Sequence, residues 1–149
     1  MIEAPPDSLD VRLLHPDAIV PARTRGGDAG YDLCATERVS IPQDGRRLVG
    51  TGVAIALPAG VAGLVMPRSG LAIEHGITLL NAPGLIDPNY RGEIKAILHN
   101  TGERRYMVEP GDRIAQLLLV PYCAPELEVV DELPPTDRGA DGFGSSGRR

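Results

Sequence analysis

The sequence predicts an all-β protein, a jelly roll (a distorted β-barrel) of short antiparallel strands with one short helix and a flexible C-terminal tail. Three observations carry this prediction. Glycine and proline supply 18 and 14 of the 149 residues and stand as punctuation between apolar runs, too many for a helical protein. Aromatics are scarce, with no Trp, one Phe and four Tyr, so the core must come from Val, Ile, Leu and Ala. The apolar runs are short and recur at steady spacing, about ten of them, with almost no helical periodicity between.

Each element follows from its residues. Met1–Ser8 reads as a loose, proline-containing arm, and Asp10–Leu14 as a first strand that Pro16 ends. Pro16–Gly30 is loop-like and delivers the run Asp28–Ala35, after which come a strand at Arg38–Ile41 and a turn at Pro42–Gly45. From Val49 to Leu57 the odd positions are Val, Thr, Val, Ile and Leu and the even ones Gly, Gly, Ala and Ala. That alternation predicts a strand with one bulky face and one small-residue face open to close approach by another sheet or subunit. Pro58-Ala59-Gly60 turns into a strand at Val61–Met66, which stops at Pro67-Arg68-Ser69-Gly70. Leu71–His75 has the composition of a short helix with Gly76 as its C-cap.

Apolar runs at Ile77–Leu80 and Ile94–Leu98 then flank Asn81–Glu93, where Pro83-Gly84 and Asp87-Pro88 each demand a turn. This is a β-hairpin whose loop carries Asn81, Asp87 and Tyr90. Strands at Glu93–Leu98 and Arg104–Val108 follow, and Glu109-Pro110-Gly111-Asp112 has Pro and Gly where a type II turn wants them. Arg113–Val120 is a strongly apolar strand and Leu127–Val130 a last short one. Residues 1–133 thus form the β core, and Pro134-Pro135 opens a glycine-rich arm over 134–149.

One domain of this length buries roughly two-thirds of its unfolded surface, enough for a real core. The net charge of −5 argues against nucleic-acid or membrane-surface binding, which needs a basic face, so an anionic ligand must be met locally. Cys34 and Cys123 lie far apart in neither a metal nor a redox spacing, which points to free thiols in a reducing compartment. The N-terminus has no signal-peptide pattern and no apolar run nears ~18 residues, so the expected location is the cytoplasm. His15, His75 and His99 share no ligand spacing.

Five stretches carry chemistry. Alone, the hairpin reads first as an ordinary surface hairpin with polar turn residues. Pro67-Arg68-Ser69-Gly70 offers a guanidinium, a hydroxyl and turn amides, equipment for holding phosphate oxygens. Gln116 falls inside an apolar strand and either finds polar partners or faces solvent. Arg138–Gly147 sets four glycines around one arginine and the only phenylalanine, so its amides, Ser145 and Ser146 suit phosphates and Phe143 suits a base. A Walker loop is excluded, and the bland alternative is a disordered terminus. Asp32, near Gly30, is a candidate ligand for magnesium-bound water or a plain turn acid.

In this order the five stretches resemble the five motifs of the homotrimeric deoxyuridine triphosphate nucleotidohydrolases, the dUTPases. AGYDLCA at 29–35, PRSGLA at 67–72, the hairpin at 81–94, GDRIAQLLL at 111–119 and RGADGFGSSG at 138–147 carry the resemblance. Ala82 and Leu85 stand where many relatives have Ser and Thr, and Ala140 occupies a glycine-rich position. The resemblance implies hydrolysis of dUTP to dUMP and pyrophosphate, which limits uracil incorporation into DNA and supplies dUMP for thymidylate synthesis. It makes Asp87 the base that activates a water for attack on the α-phosphate, with Arg138 as its catalytic partner in the arm. Mg²⁺ would ride on the triphosphate, with Asp32 holding its water shell.

By the same resemblance Arg68, Ser69, Gly70, Gln116, Arg138, Gly144, Ser145 and Ser146 bind phosphate. Asn81, Gly84 and Ile86 with the hairpin backbone read uracil. Tyr90 lies under the deoxyribose and excludes a 2′-hydroxyl, Phe143 lids the base, and Lys95 joins the substrate contacts. Each site of the trimer would draw on all three subunits. Two alternatives stand beside this reading: a dCTP deaminase of the same superfamily, alone or bifunctional, and a non-catalytic dUTP-binding regulator. The complete arm and the Ile-Asp-Pro-Asn-Tyr context favour the hydrolase.

Overall fold

The structure, a computed structural model, describes residues 7–142. Ten strands and one helix follow in order: β1 (Asp10–Leu13), β2 (Tyr31–Cys34), β3 (Val39–Ile41), β4 (Arg46–Ala56), β5 (Val61–Met66), α1 (Ser69–His75), β6 (Ile77–Leu79), β7 (Gly84–Ile86), β8 (Ile94–Asn100), β9 (Tyr106–Val108) and β10 (Arg113–Pro121). All pairings are antiparallel, in two four-stranded sheets, β1-β4-β8-β6 and β2-β10-β5-β7, with β3 and β9 as a separate ribbon. The sheets stay open, so the architecture is jelly-roll-like and not a closed barrel.

A single core draws on both sheets and the ribbon. Leu33, Ile41, Val49, Val65, Ile77, Ile94, Leu98, Val108, Ile114 and Leu117 are all buried in it, and none is aromatic, as the composition requires. The one buried amide is fully satisfied. Asn100 Nδ2 donates to Ile41 O (3.1 Å) and Arg104 O (2.7 Å), and its Oδ1 accepts the Gly102 N–H (2.9 Å). Both punctuation devices expected around these strands are present. Gly76 caps α1 in the left-handed region (φ 67°), where a Cβ would lie 2.6 Å from Gly102 N. Gly111 takes φ 88° and the Asp112 N–H donates to Glu109 O, the type II turn.

Three features differ from the expectation. The alternation of β4 is interrupted: its register against β8 runs Gly50↔Lys95 and then Val53↔Ile94, a bulge that places Gly52 at φ 66°. Thr51 Oγ1 donates to Ile94 O across the bulge, and Val49–Ile55 are buried on both faces. The small-residue face is therefore covered within the chain, where a Cβ at Gly52 would come 2.8 Å from Ala18 and His15. The Leu127–Val130 strand does not form; Leu127 and Val129 are 95% and 99% exposed. Their alternation suits a strand, but among the described residues no neighbouring strand takes up the backbone hydrogen bonds. Finally the hairpin loop contains β7, which leaves the sheet of β6 and β8 and pairs with β5 in the other.

Candidate active site

The hairpin loop owes its shape to this change of sheet. β6 and β8 hold its ends through Ile77↔Asn100 and Leu79↔Leu98, while Val65↔Gly84 and Gly63↔Ile86 tie its first limb to β5. Gly84 permits the approach, since a Cβ there would lie 3.3 Å from Asn81 Nδ2 and 3.4 Å from Val65 Cβ. Asp87 comes directly after β7, and the Tyr90 N–H donates to its carbonyl at 3.1 Å to close the Asp87–Tyr90 turn. The loop then folds under the tyrosine. Tyr90 OH donates to Glu93 O (2.9 Å), and a Cβ on Gly92 would sit 2.5 Å from Tyr90 Cζ, so any larger residue there would push the hydroxyl end of the ring aside.

These folds create a groove of about 590 Å³. Asn81, Ile86, Asp87, Tyr90 and Lys95, all expected at the site, line it together with Leu48, Leu85, Glu93 and Ile97. The volume suits a small organic ligand, and the lining combines one amide, one exposed carboxylate, one phenol ring and one ammonium with apolar walls. Lys95 is balanced by Glu93 at 3.3 Å.

A second cluster gathers three other stretches. Asp32 on β2, Gln116 on β10 and Met66 on β5 lie in register, which puts Pro67 and Arg68 at the end of this row. Gln116 is partly buried and resolves the question its position posed: Nε2 donates to Pro67 O (3.0 Å), and its Oε1 fills the space a Cβ at Gly30 would take. Asp32 sits between two guanidiniums, Oδ1 3.4 Å from Arg68 Nε and Oδ2 3.3 Å from Arg113 Nη1, and accepts from Thr24 Oγ1 at 2.8 Å. Arg68 also donates to Arg113 O (3.0 Å). Ser69 and Gly70 follow exposed at the start of α1.

The structure thus assembles the expected residues into two places rather than one. None of Asp32, Arg68, Ser69, Gly70 or Gln116 lines the groove. Arg138 reaches neither place among the described residues; its Nε donates to Asp141 O within an exposed turn. Phe143, Gly144, Ser145 and Ser146 lie outside the described residues. Thr24, Gly92, Glu93 and Arg113 escaped sequence reasoning. Gly92, Glu93 and Arg113 belonged to stretches already marked, but what makes them matter is contact across the loop and, for Arg113, with Asp32.

Elsewhere a cavity of about 530 Å³ is lined mainly by apolar residues such as Leu9, Val11, Ile55 and Leu119, with Asp7, Ser8 and Tyr31 as its polar members. Burial raises the Cys34 thiol above its usual range, with Asp32 adding to the effect, and burial likewise raises the Tyr106 phenol. Among the described residues no three His, Cys, Asp or Glu side chains converge to hold a metal. No described helix is long and apolar enough to cross a membrane.

An antiparallel jelly roll with an amide-, carboxylate- and phenol-lined groove and a separate arginine–glutamine cluster defines a class of β protein with a small-ligand groove and a cationic cluster on different strands. The family is shown by comparison: a family model described as dUTPase matches residues 16–147. The chain belongs to the dUTPase family. It is similar to the deoxyuridine 5′-triphosphate nucleotidohydrolase of Wolinella succinogenes, 50% identical over 142 residues that cover 94% of this chain and 95% of that one. Among solved structures it resembles the dUTPase of Staphylococcus bacteriophage 80alpha with dUPNHPP, with a TM-score of 0.86 and 31% identity over 95% of this chain and 99% of that one. A variant dUTPase from phage phi11 of S. aureus, described for its coordination of a structural Mg(II) ion, gives 0.81 and 28% over 87% and 100%.

Proposed function

We propose that this protein hydrolyses dUTP to dUMP and pyrophosphate, keeping uracil out of DNA and supplying dUMP. The observation that carries the reading is the groove, in which the exposed carboxylate of Asp87, the Tyr90 ring and the Asn81 amide converge on one ligand-sized space. Uracil is held by Asn81 and the backbone of Gly84 and Ile86, the deoxyribose rests on Tyr90, and Lys95 adds a cation at the rim. Asp87 accepts a proton from a water whose oxygen attacks the α-phosphorus, and the bond to the bridging oxygen breaks to release pyrophosphate. Arg68, Ser69, Gly70 and Gln116 take phosphate oxygens. The arm over 134–149 brings Arg138, Gly144, Ser145 and Ser146 to the phosphates and Phe143 to the base.

The separation of groove and arginine cluster within one chain supports a homotrimer, in which the cluster of one copy meets the groove of the next and a third supplies the arm. The donor set fits a hard cation carried by the substrate. Asp32 is a lone carboxylate whose Oδ2 is taken by Thr24 and Arg113, but its Oδ1 has two lone pairs and meets only Arg68, which leaves room for a water of Mg²⁺ held on the triphosphate. When bound, that ion would neutralise phosphate charge. Two thiols with no disulfide between them fit a cytoplasmic location.

The test is pyrophosphate release from dUTP, dTTP, dCTP and UTP, with ammonia release from dCTP measured in parallel. Release from dUTP alone is expected. Ammonia from dCTP would make the chain a deaminase, and binding without turnover would make it a regulator.

A further inference from the structure

Glu93 has no role in the reaction as described, yet it is fastened at three points. Its Oε1 accepts the Gly52 N–H at 2.9 Å, its Oε2 lies 3.3 Å from Lys95 Nζ, and its main-chain carbonyl accepts the Tyr90 hydroxyl at 2.9 Å. The chain is built to admit it: a Cβ at Gly50 would come 2.6 Å from Oε1, so the β4 bulge has room for the carboxylate only because glycine stands there. The bulge itself is held in the core by buried Thr51, whose hydroxyl donates to Ile94 O, and by Leu14, whose N–H donates to Gly52 O. A continuous path of hydrogen bonds therefore runs from buried sheet through Glu93 to the ring of Tyr90.

We propose that Glu93 is a positioning residue for sugar selectivity, acting through Tyr90; this rests on the reading of the chain as a dUTP hydrolase. Excluding one hydroxyl by contact requires a wall placed to a fraction of an ångström, which a loop of turn residues does not provide by itself. Tyr90 is 44% exposed, and the hydroxyl end of its ring stands against Gly92 in a loop that is itself largely exposed. Glu93 supplies the missing rigidity by tying that loop to β4.

The experiment compares kcat/KM for dUTP and UTP in wild type, Glu93→Ala, Glu93→Gln, Tyr90→Phe and the Glu93→Ala/Tyr90→Phe pair, with amide exchange at Gly52 followed in each. Glu93→Ala should lower the dUTP/UTP ratio about tenfold and speed exchange of the Gly52 N–H, because the acceptor is gone. Glu93→Gln keeps a carbonyl acceptor and should hold the ratio within about twofold of wild type, whereas Tyr90→Phe should lose selectivity as Glu93→Ala does. The double variant should lose no more than the worse single, since both act on one ring. A ratio unchanged in Glu93→Ala or Tyr90→Phe, losses that multiply in the pair, or a Glu93→Gln defect as large as the alanine's overturns the proposal. If Glu93→Ala does not fold, the Tyr90→Phe and Glu93→Gln ratios decide alone. A wild type that hydrolyses dUTP and rejects UTP keeps the functional reading even when these arms fail; a wild type that does neither removes both.

Discussion

Replacing Asp32 with Asn removes a charge and little else, which makes it a sharp probe of the arginine cluster. The carboxylate is 19% exposed and meets Arg68, 27% exposed, at 3.4 Å and Arg113, 47% exposed, at 3.3 Å. Two unit charges 4 Å apart attract by about 4 kcal/mol at an effective dielectric of 20, but exposed pairs retain only ~0.2–1 kcal/mol after screening and side-chain entropy. The more buried Arg68 ion pair and the Arg113 pair, an exposed charge-assisted hydrogen bond, are therefore assigned about 1 kcal/mol each, or about 2 kcal/mol together. At roughly 2–4 °C per kcal/mol for a chain of this size, Tm should fall by about 4–8 °C. A guanidinium no longer aimed should also raise KM for dUTP, by up to about 30-fold if the whole 2 kcal/mol is lost from binding. Thermal unfolding and steady-state kinetics over a Mg²⁺ series measure both. The KM deficit should persist at saturating Mg²⁺, because it comes from Arg68 rather than from weakened metal binding. A variant with wild-type Tm whose KM recovers fully as Mg²⁺ is raised would refute the anchoring of Arg68 and leave Asp32 with the metal's water alone.

Three further outcomes are expected. Asp87→Asn keeps the side chain's shape in the groove but removes the base, so kcat should fall by about 10²–10⁴-fold while the Kd of a non-hydrolysable dUTP analogue changes little; turnover within a few-fold of wild type would assign the base elsewhere. Truncation after Asp137 removes a segment whose described part, Arg138–Gly142, is wholly exposed, so Tm should hold within about 2 °C while kcat/KM drops by about 10²-fold or more; full activity in the truncated protein would end the arm's catalytic role. Cys34 is buried with a raised pKa and Cys123 is exposed, so alkylation of the folded protein near neutral pH should stop at one adduct, on Cys123, by intact mass. Because the folded thiol ionises less readily than the unfolded one, Cys34's contribution to stability is complete below the usual thiol pKa and is lost as pH rises through the folded value; rapid double labelling at neutral pH would contradict this burial.

Much of the molecule was legible in the sequence because it rests on local rules. Pro110-Gly111 can only make its turn, Gly76 can only end its helix at positive φ, and short apolar runs without aromatics can only build a core from two facing sheets. The expected residues that reach the groove, from Asn81 to Lys95, fall within fifteen consecutive positions, so their convergence was implied by one stretch, whereas Leu48 joins them only through the fold. Resemblance across five motifs carried the rest of the functional expectation.

What tertiary structure alone decided are the relations between distant segments. Hydrophobic alternation along Val49–Leu57 does not say that two extra residues bulge out, because the bulge answers to the partner strand, to Thr51 bonding Ile94 and to Glu93 filling the room left by Gly50. The pattern at Leu127–Val130 suits a strand, yet a strand exists only where another edge accepts its hydrogen bonds, and among the described residues none does. Asp32 read as a lone acid until folding set Arg68 and Arg113, 36 and 81 positions away, on either side of it. Turn chemistry and apolar period are properties of consecutive residues, whereas charge pairing, bulges and close approaches such as Gly92 to the end of the Tyr90 ring depend on distances that only the folded chain sets.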